Sequence, residues 1–157
     1  MTTSIPSIPS VPSTPAPSVN GRVIGLAHYA SRAALERVLA RSGTTFEQSV
    51  ALRAVSDNGG TVERARLVAR LTGGLKIEES AAGRTVEEMT AHKLLAEPSA
   101  DQVSLTDSGR ELFESIRTAG DEIAARLYAG IPAEDLATAG RVLALVTERA
   151  DAELAGA

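Results

Sequence analysis

The chain has 157 residues, 43% of them hydrophobic and only 3% aromatic, with no cysteine and a formal net charge of -4. That length suffices for one domain with a sizeable core, built mainly from Ala, Val, Leu and Ile. The missing cysteines exclude disulfides, thiol catalysis and zinc-thiolate sites, and the net acidity means that nucleic acid could be held only by a locally basic face. No apolar run reaches the roughly 18 residues that cross a bilayer.

Residues 1–20 contain no charged side chain, and Pro6, Pro9, Pro12, Pro15 and Pro17 alternate with Ser and Thr. Such a segment favours solvated polyproline II and predicts a disordered Pro/Ser-rich tail. It has neither the basic start nor the continuous apolar stretch of a secretory signal, so the expected location is cytoplasmic. A single domain is expected over 21–157.

From Gly21 the pattern is almost entirely helical. Val23, Leu26, Ala27, Ala30, Ala34, Val38 and Leu39 recur at three- and four-residue intervals and predict an amphipathic helix from about Arg22 to Arg41, ended by Gly43. Thr45 with Gln48 three residues later is a capping-box pattern for a second helix to about Ser56, presenting Phe46 and Val50, with Leu52 and Val55 as further candidates, to the core. The turn Asp57-Asn58-Gly59-Gly60 follows, after which Thr61 is expected to cap a third helix carrying Leu67, Val68, Leu71 and Leu75. A fourth helix is predicted from Glu78 to about Lys93, with Ile77, Ala82, Val86 and Met89 on one face and Gly83 in its interior.

Val103 and Leu105 then alternate with Ser104 and Thr106, as a half-buried strand requires, and the chargeless turn Pro98-Ser99-Ala100 can fold this strand back on Leu95-Ala96-Glu97. The strand runs into a long fifth helix from about Asp107 to Ala129, marked by Leu112, Phe113, Ile116, Ile123 and Leu127, with Gly130 as its C-terminal cap. Pro132 suits the first turn of a sixth helix, with Glu134 and Asp135 near its positive end and Leu136, Leu143, Val146 and Leu154 as its stripe. The fold class is mainly α with a small β-ribbon: the frame of a winged helix-turn-helix domain.

In that order of elements the chain resembles the MarR family of bacterial regulators over about residues 22 to 154. The most specific piece is Val103-x-Leu105-Thr106-x-x-Gly109-Arg110, which looks like the family's wing strand and following helix. The stretch from Leu75 through Val86-Glu87-Glu88-Met89 to Leu94-Leu95 aligns without a gap to the usual recognition helix. The resemblance implies a homodimeric transcriptional regulator that binds palindromic double-stranded DNA, as a repressor released by a small aromatic or anionic effector. It assigns 45–110 to DNA binding, and 22–42 with 111–154 to N- and C-terminal dimerisation helices.

By the same correspondence Ser80, Ala81, Gly83 and Arg84 face the major groove. Arg84 is the one side chain there able to make a bidentate contact to guanine or to hold a phosphate. Arg64, Arg66, Arg70 and Lys76 are candidate phosphate contacts, and Gln102 at the ribbon and Arg110 complete the DNA-facing set. The ribbon tip Pro98-Ser99-Ala100-Asp101-Gln102 carries no cation, and the fourth helix carries Glu78, Glu79, Glu87 and Glu88 against Arg84 and Lys93. Because affinity follows the number of phosphates neutralised, weak and salt-sensitive binding is expected. The alternative is a protein-interaction module on the same fold, with little or no DNA binding.

An effector pocket between the first, second and fifth helices is implied by the resemblance, with His28, Tyr29 and Arg32 as candidate lining residues. The two histidines, His28 and His92, have no metal-ligand spacing, so no metal site is expected. No cofactor and no enzymatic activity are expected either. Gly59-Gly60 and Gly73-Gly74 lack the lysine and strand context of a phosphate-binding loop, and no Ser/His/Asp arrangement has recognisable local context.

Overall fold

A computed structural model describes residues 18–156. The tail expected over 1–20 therefore falls largely outside the described residues. The chain divides into two units, one ending at Ala34 and the other beginning at Leu35. Helix α1 (Gly21–Leu39) starts in the first unit and its last residues belong to the second; it is opened by Asn20, whose side-chain oxygen accepts from the Val23 N–H at 3.1 Å. That bond satisfies one of the orphan donors of the first turn. Leu26 and Tyr29 stand exposed on it.

In the second unit, a 3-10 turn (Ala40–Ser42) closes on Gly43, whose φ of 63° is left-handed. Helix α2 (Phe46–Asp57) begins with the expected capping box: the Thr45 hydroxyl accepts from the Gln48 N–H at 3.1 Å, and the Gln48 carbonyl oxygen accepts from the Thr45 N–H at 3.2 Å. Ala51, Leu52, Ala54 and Val55 bury its inner face.

The expectation for Thr61 is corrected. It does not cap a helix but begins strand β1 (Thr61–Glu63), and helix α3 (Arg64–Leu75) starts three residues later. Gly59 and Gly60 take φ of 77° and 89°, and the chain leaves this turn extended, with Val62 directly opposite Val103 and both buried. Helix α4 (Glu79–Ala91) is followed by β2 (Leu95–Ser99) and β3 (Gln102–Leu105). The expected two-stranded ribbon is thus a three-stranded antiparallel sheet in the order β1-β3-β2. Pro98 lies on the edge strand β2, where pairing with β3 slips between Ala96 and Ser99; proline has no N–H to give to a ladder.

Helix α4 stops at Ala91, short of Lys93, because Lys93 turns left-handed at φ 57°. The Lys93 N–H bonds to the Thr90 carbonyl at 3.0 Å and the Leu94 N–H to the Met89 carbonyl at 2.9 Å. This is the Schellman arrangement, with lysine where glycine is usual. A left-handed residue bearing a Cβ is strained, so Lys93→Gly is expected to stabilise the protein by about 1 kcal/mol, seen as a higher urea midpoint at unchanged slope.

Helix α5 (Asp107–Leu127) is capped by Thr106, whose hydroxyl accepts from the Gly109 N–H at 3.0 Å and itself donates to the Lys93 carbonyl at 2.7 Å. One side chain thus ties the end of α4 to the start of α5. Gly109 is buried against the Leu94 carbonyl. Helix α5 ends at Leu127 with Tyr128 as its cap residue, so Gly130 (φ 78°) serves the turn beyond and not the cap. Helix α6 (Ala133–Ala155) begins one residue after Pro132, which is its N-cap residue and not part of the first turn. The core joins α2, α3, α4, the sheet and the first half of α5 through Leu52, Leu67, Leu71, Met89, Leu95 and Phe113. Helix α6 buries no residue.

Candidate nucleic-acid interface

The helix-turn-helix pair α3 and α4 sets the geometry. Ala82, Val86 and Met89 are buried and fix one face of α4 in the core, so residues at the complementary angles must face solvent. Those are Ser80, Arg84, Glu87 and Glu88, all exposed, with Ala81 and Gly83 half-buried beside them. Glu78 and Glu79 stand at the helix start, where negative charge complements the dipole.

A glycine inside a helix costs up to about 1 kcal/mol relative to alanine. At Gly83 nothing in the fold repays that cost, since a Cβ there would meet no atom within 4 Å. Gly83→Ala is therefore expected to raise thermal stability. If the open position admits a partner closely, the same change lowers affinity for that partner, which a binding titration on the stabilised variant reads directly.

The sequence-expected cations divide into two groups. Arg64 is held between two acids, with one guanidinium nitrogen 2.8 Å from Glu97 on β2 and the other 3.4 Å from Glu87 on α4, and its side chain is only 28% exposed. Its backbone N–H also bonds to the Asp101 carbonyl at 2.8 Å. It therefore joins α3, α4 and the ribbon, and is not a free phosphate ligand. Arg70 lies 3.6 Å from Asp57. Lys76, left-handed at φ 54° after α3, pairs with Asp151 of α6. Arg110 donates to the Leu105 carbonyl at 3.3 Å and packs by Gly60.

Arg66, Arg84 and Arg110 are the candidate cations that remain exposed without an acidic partner among the described residues, and of these Arg110 is tied to the Leu105 carbonyl. Gln102 lies in β3, opposite both Glu63 and Ser99. The ribbon tip is as free of cations as its sequence suggests, and the Ser99 hydroxyl donates to the Asp101 carboxylate at 2.7 Å within it. Exposed ion pairs are worth about 0–1 kcal/mol, so a phosphate at the same distance competes with any of these carboxylates. The pairings at Arg64 and Lys76 escaped the sequence because their partners are remote in the chain and on other elements.

The second unit contains at least two cavities among the described residues. One is a groove of about 600 Å³ along α3, lined by Arg64, Val68, Thr72, Gly73 and Glu79, in which the Thr72 hydroxyl has no hydrogen-bond partner. The other, of about 340 Å³, lies beside the start of α2. Neither includes the proposed effector residues. In their own unit His28 and Tyr29 are exposed and meet edge to face at 5.5 Å, and Arg32 is half-buried. No cluster of three or more His, Asp or Glu side chains suited to a metal occurs among the described residues, and no helix there is long and apolar enough to cross a membrane.

No family model matches the chain, and no curated protein does. Solved structures do. A MarR-family transcriptional regulator from Rhodococcus superposes with a TM-score of 0.67 at 17% identity, over 81% of this chain and 91% of that one. BpsR of Bordetella bronchiseptica, whose DNA binding is regulated by 6-hydroxynicotinic acid, matches with a TM-score of 0.65 at 23% identity over 81% and 91%. A mutant of MarR from E. coli complexed with operator DNA matches with a TM-score of 0.66 at 19% identity over 80% and 91%. The chain therefore has the winged helix-turn-helix fold of MarR-family transcriptional regulators.

Proposed function

We propose that the protein is a homodimeric, cytoplasmic DNA-binding transcriptional regulator, a ligand-released repressor that acts by binding and not by catalysis. The observation that carries this reading is the outer face of α4, where Ser80, Gly83 and unpaired Arg84 are presented to solvent by a helix anchored through Ala82, Val86 and Met89. A helix so held can enter a major groove, and Arg84 can meet the paired acceptors of a guanine edge. The fold likeness to the operator-bound E. coli protein supports the same use of α4.

The dimer reading is supported by the apolar surface of the last two helices and the turn between them. Leu127, Tyr128, Ile131, Val142, Leu143, Leu145, Val146 and Leu154 are all exposed. An amphipathic helix is stable when its apolar stripe is covered, and a second copy covers it symmetrically. Two α4 helices would then meet half-sites about one DNA turn apart, roughly 34 Å. An effector that favours another spacing shifts the population away from the DNA-bound form.

The test is binding of duplex from the gene's own upstream region, followed by fluorescence anisotropy. Arg84→Ala is expected to weaken it by about 1–3 kcal/mol and to relax preference at one base pair of each half-site. Equal affinity and preference for wild type and variant would remove Arg84 from this role.

The pairing of Arg64, Arg70 and Lys76 with acids favours a second reading, a protein-interaction module that uses the acidic face of α4. It predicts no sequence-selective DNA binding at any salt concentration.

A further inference from the structure

Lys76 closes α3 with a left-handed backbone and stands three residues before Glu79, the first residue of α4. Its neighbour Ile77 packs against the core, so the short turn is held and the ammonium leaves the fold close to the start of α4. A cation suits the negative end of α3, but the dipole alone does not call for an acid from another element. Asp151 of α6 supplies one, in direct contact with the Lys76 ammonium.

The acid comes from far along the chain. Helix α5 carries the backbone out of the winged core, with Ile116 its last buried residue, and α6 rises about 27 Å between Ala133 and Asp151. Every α6 residue after Leu136 is exposed in the single chain. Burial of apolar surface therefore does not hold the end of α6 at this turn, and the contact there is the ion pair.

We propose that Asp151 is an intramolecular stand-in for a DNA phosphate: it occupies Lys76 in the free protein and must release it when DNA binds. The proposal deepens the DNA-binding reading of α4 and rests on it. The two side chains are 50% and 48% exposed, so a phosphate can reach the ammonium. An exposed pair is favoured by no more than about fivefold, weak enough for a duplex to displace. A phosphate oxygen offers the same negative acceptor as the carboxylate, and lysine presents one compact charge for either. Asp151 left beside a bound phosphate also repels it. Arg64 differs, since two acids hold its guanidinium and its side chain is only 28% exposed. Asp151 thus acts through Lys76 as a brake on affinity.

The test uses the full chain and two readouts. Without DNA, Asp151→Asn is expected to move the amide chemical shifts of Lys76 and Ile77, remote from it in sequence; an unchanged turn overturns the proposal. With DNA, anisotropy at low salt on duplex from the gene's own upstream region compares wild type, Asp151→Asn, Lys76→Met and the double variant. Asp151→Asn is expected to bind about two- to fivefold more tightly per half-site, with the gain fading as salt screens the pair. In the Lys76→Met background the same change should gain nothing. An equal gain in both backgrounds reports only one acid fewer on an acidic chain, and unchanged or weaker binding by Asp151→Asn reports no competition; either overturns the proposal. Duplex binding by none of the four proteins, with the shifts present, removes the regulator reading and the brake together, whereas duplex binding without the coupling removes the brake alone.

Discussion

Gly109→Ala is expected to destabilise the protein by about 3 kcal/mol and to lower its melting temperature by roughly 10 °C. A Cβ at this position would fall on the carbonyl of Leu94, with the Leu105 side chain on another side. Neither neighbour can yield cheaply. The Leu94 carbonyl accepts from the Thr106 N–H at 3.2 Å, and Leu105 is 4% exposed in the core strand β3. Moving α5 outward would also pull the Gly109 N–H from the Thr106 hydroxyl and lose the helix cap. The cost is therefore steric and polar together. Alanine otherwise favours a helix by up to about 1 kcal/mol over glycine, so a stabilised variant would show that the α4–α5 joint is looser than these contacts require. Chemical denaturation of the variant and wild type measures the difference.

The second large effect is expected on α6. Leu143→Asp with Val146→Asp places two charges on a stripe that is exposed in the single chain, with each residue 42% accessible. The winged unit should keep its fold, because α6 contributes no buried residue to it. The proposed dimer should dissociate, because a desolvated carboxylate with no partner costs several kcal/mol. Losing the link between two half-site contacts removes an avidity of about 10²–10⁴, so DNA affinity should fall by that order with α4 untouched. Sedimentation equilibrium and anisotropy on the same samples read both. A wild type that is monomeric at micromolar concentration would contradict the dimer, and a variant that stays dimeric would move the interface elsewhere.

Most of the fold was legible in the sequence because its elements announce themselves locally. The Thr45–Gln48 spacing foretold the capping box atom for atom, and the alternation of Val103 and Leu105 foretold β3. Strand β1 was not legible: three residues are too few for alternation to register, and Thr61 before a helical pattern imitates a cap. Its pairing depends on a partner some forty positions away. The left-handed turns at Lys76 and Lys93 carry no glycine to mark them.

The candidate interface was legible as residue types and hidden as electrostatics. Arg64, Arg70 and Lys76 read as a basic set along the chain, yet each meets an acid from another element. Only packing decides which cations stay available, and it leaves Arg66 and Arg84. The cavity beside α2 is likewise a product of three separated segments, and no local pattern encodes it.

The central claim is that α4 reads DNA, and the most direct measurement is the affinity of wild-type protein for its own upstream duplex and for a scrambled duplex over a salt series. Selective binding at low salt that weakens as salt rises is expected. The expected slope is shallow, reflecting only a few neutralised phosphates, since log K falls by about 0.9 per phosphate contact per decade of salt. Equal affinity for both duplexes at every salt concentration, or no binding even at the lowest, would contradict it.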